Sequence, residues 1–327
     1  MKIFVTREIP DRGIEMLRAH GHEVVIGPSE RVLAKDELLA ALQSAKYDAL
    51  LCLLTDKIDA EVLDAAGGQC RVVANYAVGY DNIDVVAAEE RHIIVTNTPG
   101  VLTETVAEHT FALLLALAHR IAEADRFTRA GRYDGWAPML LLGTDVSRKV
   151  LGVLGLGRIG ARVAHHAVRG FGMQARYYDV KRDETFEKDY GAEFRENVDD
   201  IFREADFVSI HVPLLESTRH LVNAERLSLM KPGACLINTS RGGVIDEAAL
   251  VEALREKKVR GAALDVFEHE PALAAGLAEL DNVILTPHIA SATEETRQKM
   301  SALAAENILA VFEGREPPNA VSLKPKA

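Results

Sequence analysis

The sequence predicts an α/β protein with two doubly wound, parallel-sheet domains. Short apolar or β-branched runs alternate with helical patterns along most of the chain, which is typical of parallel strands joined by crossover helices. The length of 327 residues favours about two domains. The composition, with 48% hydrophobic and 27% charged residues, is that of a globular protein with enough apolar material for two cores.

In the first half of the chain, strand and helix patterns alternate. A helix is predicted over Lys35–Ser44, and a longer helical stretch is predicted over Thr103–Ala130, which Gly131 ends. The loop from Gly135 to Gly143 is the best candidate for an internal boundary. The strands predicted before it are Ile3–Val5, Glu23–Ile26, Ala49–Leu53, Val72–Ala74 and Ile93–Thr96.

The alternation resumes at Val150 and continues to a last helix, predicted from Thr293 to Phe312. Six strands with intervening helices match a Rossmann-like dinucleotide-binding domain in size and order. The predicted strands are Val150–Leu154, Ala175–Tyr178, Phe207–His211, Ala234–Asn238, Gly261–Leu264 and Val283–Leu285.

Charge and cysteine content argue against several classes of function. The 38 Lys and Arg against 49 Asp and Glu give a net charge of −11, which disfavours binding to nucleic acid or to an anionic membrane surface. The three cysteines are far apart and form no CxxC pair, which indicates a reducing compartment. No apolar run approaches the roughly 20 residues of a membrane span. We therefore expect a cytoplasmic protein, without a cluster of metal ligands.

A glycine-rich turn follows the strand that begins at Val150. It reads Gly155-Leu156-Gly157-Arg158-Ile159-Gly160 and opens a helix. Strand before and helix after are the context that this weak motif requires. Gly155 permits the tight turn, Gly157 lets the backbone approach a pyrophosphate, and Gly160 allows close packing of helix on strand. The helix N-terminus provides N–H groups for the phosphates.

An acidic residue stands where the next strand ends. Asp179 follows Gly160 by nineteen residues and is placed to accept the ribose hydroxyls of NAD and to repel a 2′-phosphate. Lys181 and Arg182 follow, and they would soften that repulsion. We expect NAD(H) to be preferred, with NADP(H) possible.

Three ionisable residues lie at or beyond the ends of later strands, where open α/β sheets bind ligands. Arg241 is suited to hold a carboxylate with two hydrogen bonds, and His288 to pass a proton to a carbonyl oxygen. Glu270 is suited to orient that histidine and to favour its charged form. Together they indicate reduction of a 2-keto acid by hydride transfer. His211 and His269 also lie near strand ends and compete with His288.

Six separated motifs resemble the D-isomer-specific 2-hydroxyacid dehydrogenase family, and within it most closely the glyoxylate/hydroxypyruvate reductases. The resemblance covers essentially the whole chain, in the family's order. The motifs are Val73–Asp84, Val95–Gly100, Gly155–Gly160, Asn238–Gly242, Leu264–Pro271 and Leu285–His288.

The resemblance implies a role for each candidate residue. The family's catalytic set falls on Arg241, Glu270 and His288, and the N–H groups of Val78 and Gly79 are implied to bind the substrate carboxylate. Cofactor contacts besides the glycine turn and Asp179 are implied at Thr103, Val212, Pro213, Thr218, Thr239 and Asp265.

The resemblance also implies a domain plan and an assembly. Residues 1–98 with 290–327 would form a substrate-binding domain, and residues 99–289 an NAD-binding domain, with the active site in the cleft between them. Residues 103–143 would form the dimerisation region of a homodimer. Trp136 would reach the active site of the neighbouring subunit.

Several related activities and one unrelated role stay open. D-3-phosphoglycerate dehydrogenases commonly have Arg where this chain has Asn75, so that substrate is less favoured. The formate- and phosphite-oxidising relatives differ at Glu270 and Val78 respectively. A D-lactate-type substrate is not excluded. A corepressor-like NAD(H) sensor without enzyme activity is the alternative from another class, which the intact catalytic set disfavours.

Overall fold

The computed structural model describes residues 1–28 and 30–322. Within them lie twelve β-strands and twelve α-helices. The strands are β1 (Lys2–Val5), β2 (Glu23–Ile26), β3 (Ala49–Cys52), β4 (Val72–Asn75), β5 (Ile94–Thr96), β6 (Val150–Leu154), β7 (Gln174–Tyr178), β8 (Glu193–Phe194), β9 (Phe207–Ile210), β10 (Cys235–Asn238), β11 (Gly261–Leu264) and β12 (Val283–Leu285). The helices are α1 (Asp11–Ala19), α2 (Lys35–Gln43), α3 (Ala60–Ala66), α4 (Val85–Glu90), α5 (Thr103–Ala118), α6 (Ile121–Arg129), α7 (Arg158–Phe171), α8 (Glu184–Tyr190), α9 (Val198–Glu204), α10 (Ala224–Leu229), α11 (Glu247–Arg255) and α12 (Glu294–Phe312).

The first compact unit, unit 1, comprises Met1–Leu102 and the segment that begins at Ala292. Its five strands are parallel, in the order β2-β1-β3-β4-β5. The last helix, α12, packs on α1, where the N–H of Gly13 donates to Ser301 Oγ at 3.0 Å and no side chain fits at Gly13. This close helix contact explains why the C-terminal helix belongs with the start of the chain.

The second unit, unit 2, is Thr103–Ser291. Its seven parallel strands have the order β12-β11-β10-β9-β6-β7-β8, so the strand order reverses between β6 and β9. One hydrophobic core lies under α5 and α7, with Phe111 and Val163, and another lies under α9 and α11, with Phe202 and Leu250. Helices therefore cover both faces, and the switch point beside β6 is where such sheets bind ligands.

The predicted fold class is confirmed, and every predicted strand is found with each end within one residue. The seventh strand of the larger sheet, β8, was missed because its two residues pair only with β7 at the sheet edge. No helix in the described ranges is long and apolar enough to cross a membrane.

The prediction of one helical stretch over Thr103–Ala130 is wrong. The helix is interrupted between α5 and α6, where Arg120 has a left-handed φ of 56°. The carbonyl of Ala118 accepts the N–H of Thr144 at 2.9 Å, so the returning loop takes an acceptor that a continuous helix needs. The loop from Gly135 to Gly143 lies inside unit 2 and is therefore not a boundary between the two units.

Candidate active site

The glycine-rich turn joins β6 to α7 in a shape that leaves no room for a side chain at two of its three glycines. Gly155 has a φ of +92°, and a Cβ there would lie 2.9 Å from the backbone carbonyl of His211. A Cβ at Gly160 would overlap the carbonyl oxygen of Gly155. Gly157 is exposed at the N-terminus of α7, and nothing lies within 4 Å of its Cβ position. The turn is therefore open to solvent at Gly157, where the N–H groups of the helix N-terminus fit a pyrophosphate.

Asp179 ties the end of β7 to this turn. Its Oδ2 accepts the N–H of Leu156 at 2.6 Å, and its Oδ1 accepts the N–H of Lys181 at 3.3 Å. The carboxylate is half-buried, at the edge of the turn. A carboxylate held in this place fits the ribose of a dinucleotide.

The three candidate catalytic residues follow neighbouring strands of one sheet. Arg241 comes after β10, Glu270 after β11 and His288 after β12, and these strands are adjacent and parallel. Their carboxyl ends therefore lie at one edge of the sheet. His288 Nδ1 is 3.0 Å from Glu270 Oε2, and the two side chains are 28% and 32% exposed.

Opposing effects act on the Glu270 carboxyl. Burial raises its pKa, but the hydrogen bond and charge of His288 lower it, as do the N–H of Phe267 and the charge of Arg241. The net effect is a pKa below the usual value, so Glu270 is ionised near neutral pH. Arg241 itself donates from Nη1 to the carbonyl of Ser240 at 2.9 Å. A guanidinium, a carboxylate and an imidazole thus act on one another in this place.

Backbone contacts hold the loops that carry Arg241 and Glu270 against each other. A Cβ at Gly242 would overlap the backbone of Phe267 and Glu268. The buried Asn238 holds the other side of the turn, because its Nδ2 donates to the carbonyl of Arg241 at 2.9 Å. Contacts of the neighbouring backbone therefore fix the place of Arg241 in the loop.

A buried carboxylate organises the turn that carries His288. Asp265 is fully buried, and its Oδ1 accepts the Thr286 hydroxyl at 2.6 Å and the Ile289 N–H at 2.9 Å, while Oδ2 accepts the Ala290 N–H at 2.8 Å. Its carbonyl accepts the N–H of His288, whose φ is +54°. Burial raises the pKa of Asp265, but these hydrogen bonds, and one from a further histidine, leave it below the usual value. The strained turn is therefore anchored by a charged group.

That further histidine and a second histidine–carboxylate contact support the same loops, and sequence reasoning missed both. His109 Nε2 lies 3.4 Å from Thr286 Oγ1 and 3.5 Å from Asp265 Oδ1. His220 Nε2 lies 2.6 Å from Glu268 Oε1, two residues before Glu270. The partners are 48 or more residues apart in the chain, so no local pattern pointed to them.

The competing histidines have different surroundings. His211 Nε2 lies 2.8 Å from Ser209 Oγ, and burial lowers the pKa of His211 to about 3, so its ring is neutral. His269 is exposed, and its carbonyl accepts the N–H of Ala272. Of the three candidates from the sequence, His288 is the one whose ring has a carboxylate within hydrogen-bond distance.

The other predicted cofactor contacts lie mostly at the carboxyl ends of strands. Val212 and Pro213 follow β9, and Thr239 follows β10, with its hydroxyl 2.8 Å from that of Thr110. Thr218 donates to the carbonyl of Pro213 at 2.6 Å. Thr103 begins α5. Their cofactor roles, like that of Asp265, stay predictions.

Val78 and Gly79 belong to unit 1, in the loop after β4. The carbonyl of Gly79 accepts Nδ2 of the buried Asn75 at 2.8 Å, and the carbonyl of Val78 accepts Nδ2 of Asn97 at 2.7 Å. Asn82 also accepts from Asn75 Nδ2, at 3.1 Å. Side-chain amides therefore shape this loop, and its predicted binding of a carboxylate stays a prediction.

Trp136 is 83% exposed, in the loop after α6. Its neighbours Tyr133, Met139 and Leu142 are also more than half exposed. The predicted contact of Trp136 with a second subunit is untested.

Comparisons with known proteins agree on one family. Residues 111–290 match the family described as "D-isomer specific 2-hydroxyacid dehydrogenase, NAD binding domain". A glyoxylate reductase of Korarchaeum cryptofilum is 50% identical over 98% of this chain and 96% of its own. A solved protein of Thermus thermophilus is 44% identical, with a TM-score of 0.92 over 98% of this chain and 100% of its own. An NADPH-dependent glyoxylate/hydroxypyruvate reductase of Sinorhizobium meliloti, solved with NADP and malonate, is 34% identical, with a TM-score of 0.84 over 98% of this chain and 96% of its own.

Proposed function

Because the chain belongs to the D-isomer-specific 2-hydroxyacid dehydrogenase family, we propose that it reduces glyoxylate or hydroxypyruvate to the 2-hydroxy acid with NADH. Membership makes it an NAD(P)-dependent dehydrogenase. The observation that carries the proposed chemistry is the His288–Glu270 pair at 3.0 Å, beside the charge of Arg241.

The proposed roles follow from this geometry. Glu270 occupies Nδ1 of His288, so Nε2 is the nitrogen left to donate a proton to the developing alkoxide. Arg241 holds the substrate carboxylate, as its planar fork of donors suits. Bound nicotinamide supplies the hydride. Asp265 keeps the turn of His288 in place throughout.

Two observations favour a short, unphosphorylated substrate. The relatives named above include glyoxylate reductases. Asn75 is fully buried, and its amide nitrogen donates hydrogen bonds to Gly79 and Asn82. Since an amide is neutral, this position offers no cation to a substrate phosphate. D-3-phosphoglycerate dehydrogenases commonly have Arg at this position, and an arginine would supply such a cation.

NADH is the proposed cofactor because of the charge at the end of β7. Asp179 has a rigid position on the glycine turn, and its charge opposes a 2′-phosphate. The Sinorhizobium relative is NADPH-dependent, so this choice is not inherited from the family. We expect kcat/KM to be at least about tenfold higher with NADH. Equal values with the two cofactors would contradict the assignment.

The direct test is keto-acid-dependent oxidation of NADH, with glyoxylate, hydroxypyruvate, pyruvate and 3-phosphohydroxypyruvate. We expect fast turnover of the first two. His288→Ala should lower kcat by about 10²–10⁴, whereas His269→Ala, a control at an exposed histidine near Glu270, should stay near the wild type. A normal kcat in His288→Ala removes that residue from the mechanism. Tight NADH binding without any turnover would favour a corepressor-like sensor instead.

A second copy of the chain is the proposed partner. The surface after α5 carries Ile121, Tyr133, Trp136 and Met139, which are 54%, 55%, 83% and 76% exposed. Where exposed apolar side chains form one contiguous patch, they mark an interaction surface. We expect a homodimer, in which Trp136 enters the neighbouring active site. A fully active monomer in sedimentation at micromolar concentration would rule this out.

A cytoplasmic location is proposed on the state of the thiols. Cys52, Cys70 and Cys235 are all buried and free. Free thiols are typical of a reducing compartment. Recovery of the protein in a periplasmic or extracellular fraction would contradict this location.

A further inference from the structure

The loop between β7 and α8 contains an arginine close to the acidic residue that ends β7. Arg182 follows Asp179 by three residues and is exposed. In dinucleotide-binding folds an arginine near this acidic residue accommodates the 2′-phosphate of NADP. A free Arg182 would therefore oppose the NADH preference that Asp179 supports.

Arg182 is held by a carboxylate from the next helix. Its Nε and Nη2 donate to Glu187 Oε1 and Oε2 at 2.9 and 2.7 Å, which is a two-point ion pair. Glu187, on α8, is only 16% exposed, whereas Arg182 is 54% exposed. The pair engages Nε and Nη2, one of the two-donor edges with which a guanidinium binds a phosphate.

A buried tyrosine fixes the carboxylate in turn. The Tyr177 hydroxyl donates to Glu187 Oε1 at 2.8 Å and accepts the N–H of Asp183 at 2.8 Å. Tyr177 is fully buried in β7. Glu187 therefore has little freedom to follow Arg182 if the arginine moves toward a ligand.

We propose that Glu187 is a specificity-determining residue, which disfavours NADPH by holding Arg182 away from the 2′-phosphate. The proposal rests on the NADH preference proposed above. It differs from a simple charge effect, because Glu187 acts through the position of Arg182. Asp179 keeps its own repulsion, so the effect of Glu187 is a part of the total discrimination.

The test measures the affinities for NADH and NADPH without substrate, by the fluorescence of the bound nicotinamide. Glu187→Gln removes the charge but keeps an acceptor for Tyr177, and thermal melting checks that the fold persists. We expect NADPH to bind about fivefold more tightly, which is the upper end of what one exposed ion pair contributes, and NADH to bind within about twofold of the wild type. Arg182→Ala alone should leave both affinities within about twofold, because wild-type Arg182 is already engaged.

The combined variant Glu187→Gln/Arg182→Ala should return NADPH affinity to the wild-type value. If it keeps the gain, the effect does not pass through Arg182 and the proposal fails. Glu184→Gln is the matched control, since it removes a charge from the same helix without a hydrogen bond to Arg182. An equal gain in that control would also overturn the proposal. Failure to reduce any keto acid leaves these binding results unaffected, so the two proposals fail separately.

Discussion

Two adjacent glycines after Arg241 should respond very differently to alanine. A Cβ at Gly242 would overlap the carbonyl carbon and oxygen of Phe267 and the nitrogen of Glu268, all well inside 3.0 Å. At Gly243 the nearest atoms to a Cβ are the Leu214 methyls at 3.4 Å, which is ordinary contact. Neither glycine has a positive φ, so the difference between the two substitutions is steric.

The size of the effect follows from what Gly242 touches. Its clash is with backbone, so the two loops have to separate by about 1 Å, at a typical overpacking cost of about 1–3 kcal/mol. The N–H of Phe267 donates to Glu270 Oε1 at 3.0 Å, so this movement shifts the carboxylate that pairs with His288. A misplacement of about 1 Å near reacting groups costs about a hundredfold in rate.

We therefore expect Gly242→Ala to lower kcat/KM for the keto acid about a hundredfold. Gly243→Ala should stay within about threefold of the wild type, since its new methyl meets only flexible side-chain ends. Initial rates of NADH oxidation measure this, NADH titration checks that the cofactor still binds, and melting temperatures report the strain. Near-normal activity in Gly242→Ala, or equal damage from Gly243→Ala, would refute the steric argument.

Three further substitutions test other parts of the site. Asn75→Leu removes the hydrogen bond to the carbonyl of Gly79. We therefore expect the KM for the keto acid to rise about tenfold, with kcat within about threefold of the wild type. An unchanged KM in initial-rate measurements would contradict a role of this loop in substrate binding. Asp265→Asn places a donor against backbone N–H groups, and should lower kcat at least about tenfold together with the melting temperature. An unaffected kcat there would show that the turn of His288 does not need the carboxylate. For Glu270, the folded-state pKa is lowered, so its pairing stabilises the fold above the usual glutamate pKa and is lost as pH falls through the folded value. The difference in unfolding free energy between wild type and Glu270→Gln should therefore shrink as pH falls from about 6 to about 3, and a constant difference in denaturant titrations would contradict this.

The strands and the glycine turn were predictable because their signals are local. A buried parallel strand reads as an apolar run, and β6 is found over Val150–Leu154 as predicted. Gly155 and Gly160 are required by close backbone contacts within the same turn. The placement of Arg241, Glu270 and His288 at the carboxyl ends of strands was predictable too, because each follows a predicted strand.

Other features depended on contacts between distant segments. The helix break at Arg120 follows from the returning loop at Thr144, 24 residues later, which takes the Ala118 carbonyl. The helix pattern itself continues through this place, so periodicity alone predicted one helix. Likewise, the fold and not the local sequence brings His288, among the three candidate histidines, within hydrogen-bond distance of a carboxylate.

The sequence by itself determined the two parallel sheets and the dinucleotide turn, because periodicity, glycine spacing and strand ends are properties of neighbouring residues. It also indicated the candidate catalytic residues, with three histidines competing at strand ends and the family resemblance favouring His288. Tertiary structure alone decided that Glu187 holds Arg182, that His109 and His220 support the catalytic loops, and that Asp265 anchors the turn of His288. These are contacts of polar side chains and backbone groups between loops of the folded chain. Their strength depends on distance and burial, which exist only once the chain has folded.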